Sequence, residues 1–298
     1  MQLSKLVRPA QVLLWLGILA VSASAAAAPA KPATAIAAHS ARSWSPPAHV
    51  VVVIEENKSF STIIDNKHAP YLNQLARRGA LFTDSHAITH PSEPNYLALF
   101  AGTTEGLRDD SCPHDYSGPN LASELLAKKL SFAIYSENLP ETGFTGCGGN
   151  GGLYRRKHNP VVDFQGANVP ASANRPFSDF PGDYSKLPTL VFVVPNMMND
   201  MHDGTIAEGD AWLRQHLDGY VRWATRHDGL LIITWDESDA SSFTNRIPII
   251  IVGAGVKPGR HDEEINHYSV LRTLAEMYGI KPMGESAQAL PIKGVFRY

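Results

Sequence analysis

Cysteine is scarce: only Cys112 and Cys147 occur among 298 residues. Their 35-residue separation is not the spacing of a metal-ligand pair. In an exported chain two such residues are expected as a disulfide, although sequence alone does not bring them together. Long basic runs are also missing, and removing Lys5 and Arg8 from the 26 basic residues leaves 24 against 29 acidic ones. That balance argues against electrostatic binding to nucleic acid or to anionic lipid. There is no internal repeat, no glycine fingerprint of a nucleotide-binding turn and no G-x-S-x-G elbow, so an esterase triad is the weaker explanation of any reactive serine.

The one long apolar stretch lies at the N-terminus. Lys5 and Arg8 precede residues 12–21, which are apolar, and residues 22–28 are small. The pattern predicts a secretory signal peptide over 1–28, cut between about Ala25 and Ala30. The run is short for a bilayer, so no stable membrane insertion is expected after cleavage. Residues 29–47, rich in Ala, Ser and Pro, read as a flexible lead, and residues 48–298 as one catalytic domain in a periplasmic or secreted protein.

Within that domain, strand-length apolar runs alternate with helical patterns. Residues 49–54, 81–83, 131–135, 189–194, 229–235 and 247–252 are predicted strands; residues 69–79, 120–129, 207–226 and 268–278 are predicted helices. The continuous β-branched run at 50–54 is what a strand buried on both faces requires. Such alternation predicts an α/β fold, a mostly parallel sheet covered by helices on both sides.

Ligands of open sheets bind beyond the carboxyl ends of the strands. Glu55, Glu56 and Asn57 follow the first strand, Asp84 and the loop to Ser92 the second, Glu137 the third, Asn196 to Asp203 the fourth, and Asp236, Glu237 and Asp239 the fifth. Pro91 and Pro94 bracket Ser92 and predict a helix starting there and ending near Gly102, so that the hydroxyl sits where free N–H groups and the helix dipole favour an anion. Capping the helix is the plainer role for such a serine. Glu56, Asn57, Ser92, Asp236 and Glu237 together offer hard oxygen ligands suited to one divalent ion, Ca²⁺, Mg²⁺ or Mn²⁺, which would offset the repulsion of three carboxylates and lower the pKa of the serine. His158, beside Lys157, and His202, between Asp200 and Asp203, lie in polar loops punctuated by Gly and Pro. Cationic His and Lys157 would hold phosphoryl oxygens, and one histidine would protonate the leaving alkoxide; which one is not readable.

Six stretches in order, Glu56-Asn57-Lys58-Ser59-Phe60, Pro91 to Tyr96, Lys157 to Pro160, Pro195 to Asp203, Trp235-Asp236-Glu237 and Asn266 to Ser269, resemble motifs of the bacterial phosphoesterase family. That family includes acid phosphatases and phosphatidylcholine-type phospholipases C and belongs to the alkaline phosphatase superfamily. The resemblance covers about residues 49–279 and implies a three-layer α/β/α sandwich, a bound divalent metal and a covalent phosphoserine at Ser92. It also implies metal ligation by Glu56, Asn57, Ser92, Asp236 and Glu237, and phosphate contacts from Asn95, His158 and His202.

Two features depart from the family's longer members. The chain ends soon after Tyr278, without the C-terminal β-domains of the long phospholipases, so activity on membrane lipids is the lesser expectation. Asp200, His202, Asp203 and His267 are candidates for a second metal, but the resemblance favours one ion and leaves them to handle phosphate or protons. Ser-Glu-Pro-Asn at Ser92 is not the sulfatase pattern. The expected protein is an exported, metal-dependent phosphomonoesterase of acidic-to-neutral optimum acting on small phosphate esters. A phospholipase C and a Ca²⁺-stabilised binding protein of the envelope are the alternatives.

Overall fold

The computed structural model describes residues 46–239 and 243–297. The expected signal peptide and nearly all of the 29–47 lead lie outside them. In chain order the elements are β1 (His49–Glu55), α1 (Phe60–Ile63), α2 (Pro70–Arg78), β2 (Ala80–His86), α3 (Ser92–Ala101), α4 (Leu121–Ala127), β3 (Phe132–Ser136), β4 (Gly148–Gly149), β5 (Tyr154–Arg155), β6 (Asn174–Pro176), β7 (Leu190–Val194), α5 (Ile206–Ala224), β8 (Gly229–Trp235), β9 (Ile249–Gly253), β10 (Gly259–Asn266) and α6 (His267–Tyr278).

Eight strands form one sheet in the order β10-β2-β9-β8-β1-β7-β3-β6, while β4 and β5 form a separate hairpin. Within the sheet only β9 runs antiparallel to its neighbours. The Val-rich β1 lies between β7 and β8 in parallel register, Val52 beside Phe192 on one side and Ile232 on the other, so both of its edges are hydrogen-bonded. Alternation along it divides the core. Val50, Val52 and Ile54 pack with α3, α4 and α6, whereas Val51 and Val53 pack with α2 and α5. The layers are therefore α/β/α, as the sequence predicts. Among the described residues no helix is long and apolar enough to cross a membrane.

The sequence did not reveal the short β6 of this sheet, nor β10. Of the β10 residues, Gly-Arg-His-Asp-Glu-Glu-Ile-Asn, only Ile265 is buried, and among the described strands β10 pairs only with β2 at the sheet edge, so neither hydrophobicity nor alternation marks it. Helix α3, by contrast, is buried over its whole length. It ends at Gly102, whose φ of 75° is left-handed and where a Cβ would lie 2.1 Å from the Met283 carbonyl, so only glycine fits.

Candidate active site

The first residue past β1 decides the face of the site. Ile54 packs on the α3 side and Glu55 turns to the other, so Glu56 returns toward α3. Ser92, the first residue of α3, makes no capping hydrogen bond; its hydroxyl instead donates to Glu56 Oε2 at 3.1 Å and lies 3.5 Å from Glu237 Oε1. Asn57 has a left-handed φ of 51°. This turns its N–H onto Asp236 Oδ1 at 3.0 Å, while its amide donates to Glu56 Oε2 at 3.1 Å. Asp236 and Glu237 follow β8 directly, which is hydrogen-bonded to β1 as far as Trp235 and Glu55. All five expected metal ligands thus converge at the ends of two neighbouring strands and one helix.

Glu56, Asp236 and Glu237 are buried. Desolvation, followed by repulsion from Asp236 and Asp200, raises the pKa of Glu56 well above the carboxylate range. Desolvation raises Asp236 to about 6, against the hydrogen bond from Asn57, and with repulsion from Asp236 it raises Glu237 to about 9. Asp236 Oδ2 has no hydrogen-bond partner among the described residues. Among the described residues Glu237 pairs with His90 Nδ1, and burial pushes that imidazole toward the neutral form. Buried carboxylates with unmet oxygens and a hydroxyl between them are the donor set of a hard divalent cation, so these residues fit such an ion.

The two histidines differ in kind. His158 is buried, with Nε2 3.1 Å from Glu56 Oε1, Nδ1 3.3 Å from Asp200 Oδ2, and its ring stacked on Tyr96 at 5.3 Å. Burial, then the charges of Lys157 and His202, push its pKa well below the usual range, so it is neutral in the ion-free chain rather than the exposed cation its polar loop suggests. His202 is partly exposed; its Nδ1 pairs with Asp203 Oδ1 at 2.7 Å and its Nε2 faces Lys157 Nζ at 3.5 Å. Met201 before it has a left-handed φ of 75°, and Lys58 Nζ holds its carbonyl at 2.6 Å. Ligand atoms of Glu56, His158 and His202 lie within 4.8 Å of one another, making a second grouping able to hold an ion.

Two expected residues are placed differently. Asn95 Oδ1 accepts from the N–H groups of Ile88 and Thr89, and its amide donates to the carbonyls of Thr89 and Pro91. All its valences are filled by the loop entering α3, and none is left for a phosphate. His267 is fully buried, its Nε2 2.6 Å from the Asp236 carbonyl and its pKa pushed down by burial to about 4. It supports Asp236 rather than joining Asp200, His202 and Asp203.

Other partners were not singled out from sequence. Tyr96 donates to Glu56 Oε1 at 2.5 Å; its signals in the sequence are its place one turn after Ser92 and at the end of the Pro91–Tyr96 stretch. Asp110 accepts from Lys157 Nζ at 2.8 Å and from the Glu93 N–H at 3.0 Å, with nothing in its local sequence to mark it. Cys112 and Cys147 do form a disulfide, which joins the Asp110 loop to the β4–β5 hairpin just before Lys157.

This architecture is shared with alkaline phosphatase superfamily proteins. A superfamily member from Vibrio parahaemolyticus superposes with a TM-score of 0.58 at 13% identity, over 83% of this chain and 71% of that one. A phosphonate monoester hydrolase from Silicibacter pomeroyi does so with a TM-score of 0.53 at 11% identity, over 84% and 76%. The sequence model of the Phosphoesterase family matches residues 63–281. A phosphatidylinositol-3-phosphatase from Mycobacterium tuberculosis is 47% identical over 98% of this chain and 96% of its own length. A phosphate-repressible acid phosphatase from Penicillium chrysogenum is 33% identical over 72% of this chain, which spans only 55% of that protein. The chain belongs to the Phosphoesterase family, and it is a hydrolase acting on phosphoric ester bonds.

Proposed function

We propose that this chain is an exported phosphomonoesterase that hydrolyses small phosphate esters through a phosphoserine at Ser92, with one divalent ion held by Glu56, Asn57, Ser92, Asp236 and Glu237. The observation that carries the reading is the position of the Ser92 hydroxyl between two buried carboxylates, 3.1 Å from Glu56 and 3.5 Å from Glu237, in a cluster with unmet oxygen ligands. When bound, the ion would lower the pKa of the serine hydroxyl and offset the carboxylate charge.

The residues then divide the work. Ser92 Oγ directs its proton at Glu56 Oε2 and forms the bond to phosphorus, while the ester oxygen leaves with its bonding pair. Lys157 faces the charge on the phosphoryl oxygens. His202, its Nδ1 held by Asp203, supplies a proton from Nε2 to the departing alkoxide. Water then attacks phosphorus and gives a proton back to the His202 imidazole, while the Ser92 oxygen departs and regains its proton from Glu56. The name of the mycobacterial relative adds phosphorylated inositol headgroups to the candidate substrates.

Release of nitrophenol from p-nitrophenyl phosphate tests the reading. EDTA should abolish turnover, a divalent ion should restore it, and acid-quenched enzyme should carry phosphate on the Ser92 peptide. Full turnover by Ser92→Ala would sink the covalent route. Diacylglycerol release from phosphatidylcholine, without phosphomonoesterase activity, would replace the reading with a phospholipase C.

A further inference from the structure

A cavity of about 450 Å³ opens beside Lys157 and His202, within the range of small-molecule sites. Its far walls are Arg155 and the Cys112–Cys147 disulfide. The cavity adjoins the reacting centre, because the His202 ring nitrogen lies within 4.8 Å of the carboxylate of Glu56, which accepts from Ser92. A phosphoryl group on Ser92 would leave its alcohol in this space.

The charges lining the cavity are not balanced in the same way. Lys157 is paired with Asp110, and His202 with Asp203. Arg155 forms no ion pair with any carboxylate among the described residues, and its guanidinium is exposed. Its place is nevertheless built. Arg155 ends the β4–β5 hairpin, and a Cβ on Gly152 would lie 3.1 Å from its Nη2 and one on Gly148 3.5 Å from its Nη1, so the guanidinium rests over bare glycine backbone. Gly152 has a φ of 92°, which other residues rarely adopt. Both ends of the hairpin are anchored. Cys147 is bridged to Cys112, and the next residue, Arg156, is buried with its guanidinium on Asp163 and on the Thr145 carbonyl.

We infer that Arg155 is a specificity-determining residue that receives a second phosphate carried by the leaving group, so that the preferred substrates are phosphomonoesters of polyols bearing another phosphate. The inference rests on the proposed phosphomonoesterase activity and deepens it. A planar guanidinium with free N–H groups matches two oxygens of a phosphate, which a lysine ammonium does not. The second phosphate has two possible sources, a soluble polyol or a lipid headgroup, and both present the same group to Arg155.

The test compares inositol 1,3-bisphosphate with inositol 3-phosphate. The native enzyme should favour the bisphosphate by about tenfold in kcat/KM, the size of one charge-assisted contact. Arg155→Gln should bring that ratio to about two, the statistical value for two esters, and Arg155→Lys should fall between. Phosphatidylcholine vesicles with phosphatidylinositol 3-phosphate form the lipid arm. A preference lost in Arg155→Gln on vesicles alone assigns the headgroup as the source. Calorimetric titration of both soluble ligands into Ser92→Ala, with and without Arg155→Gln, reads the same contact without turnover. Parallel assays with p-nitrophenyl phosphate separate the two ideas. Turnover there without any bisphosphate preference overturns the role of Arg155 alone. Absent turnover with Arg155-dependent binding retains Arg155 and removes the phosphomonoesterase reading. A discrimination unchanged by Arg155→Gln, in kinetics and in titration, overturns the inference.

Discussion

The phenol of Tyr96 donates to Glu56 Oε1 at 2.5 Å, while the hydroxyl of Ser92, one turn earlier on the same helix, reaches the other oxygen of that carboxylate at 3.1 Å. A single rigid helix thereby orients both lone-pair directions of Glu56. Tyr96→Phe keeps the ring that stacks on His158 and removes only the donor. We expect it to fold and to lose about 10- to 100-fold in metal affinity or turnover, the usual cost of a lost partner behind a ligand. Metal titration followed by kcat measurement checks this, and wild-type values for both would show that Tyr96 only packs.

Asp236 is a buried carboxylate that forms no ion pair with any basic side chain among the described residues. Asp236→Asn keeps an oxygen for the Asn57 N–H but removes that charge. In EDTA the variant should melt above the wild type at pH 8, because burying an amide costs less than burying a carboxylate. With a divalent ion the order should reverse, and activity should be lost. Elemental analysis showing full occupancy with normal turnover would take Asp236 out of the site.

The pH dependence of stability follows from the same carboxylates. Asp236 at about 6 and Glu237 at about 9 both titrate above their ordinary values, desolvation being the first cause in each. The folded chain therefore holds more protons than the unfolded chain between about pH 4 and 9, and its stability falls as pH rises through that window. Glu93 at about 8 and Asp163 at about 7 add to the same slope. A bound cation should flatten the part due to Asp236 and Glu237 and leave the remainder. Thermal unfolding from pH 5 to 9, with EDTA and with each divalent ion, measures the difference; identical slopes would speak against a cation there.

His202 is held from behind by Asp203, with Nε2 toward the cavity. As a general acid it should matter in proportion to the leaving group's need for a proton. His202→Asn should cost about 10²–10⁴-fold on an alkyl ester such as glycerol phosphate and far less on p-nitrophenyl phosphate. Equal losses on both esters would assign His202 to binding rather than to proton transfer.

The Cys112–Cys147 bridge closes a 35-residue loop and joins the segments that carry Asp110 and Arg155. Replacing both cysteines by serine should lower stability by about 2–4 kcal/mol through the freed unfolded chain. KM should rise as well, because two walls of the cavity lose their link. Urea unfolding and steady-state kinetics separate the two effects.

Much of this was legible in the sequence because it is local. The β-branched run of β1, the proline-bracketed start of α3 and the acids after Ile54 and Trp235 follow from steric and solvation preferences within a few residues. They were enough to predict an α/β sandwich and to collect Glu56, Asn57, Ser92, Asp236 and Glu237 at one sheet edge. The disulfide partners, too, were the only pair available. Tertiary structure decided what depends on partners far along the chain. Asn95 looks free in sequence, but its valences are taken up by a loop that turns back on it. His158 sits among basic residues in sequence, yet the fold seals it against Tyr96, Glu56 and Asp200 and removes its charge. Asp110 has no mark at all until Lys157, 47 residues on, is folded against it. Chain-local forces set the conformation and side-chain types; burial, which fixes pKa and pairing, is a property of the assembled layers.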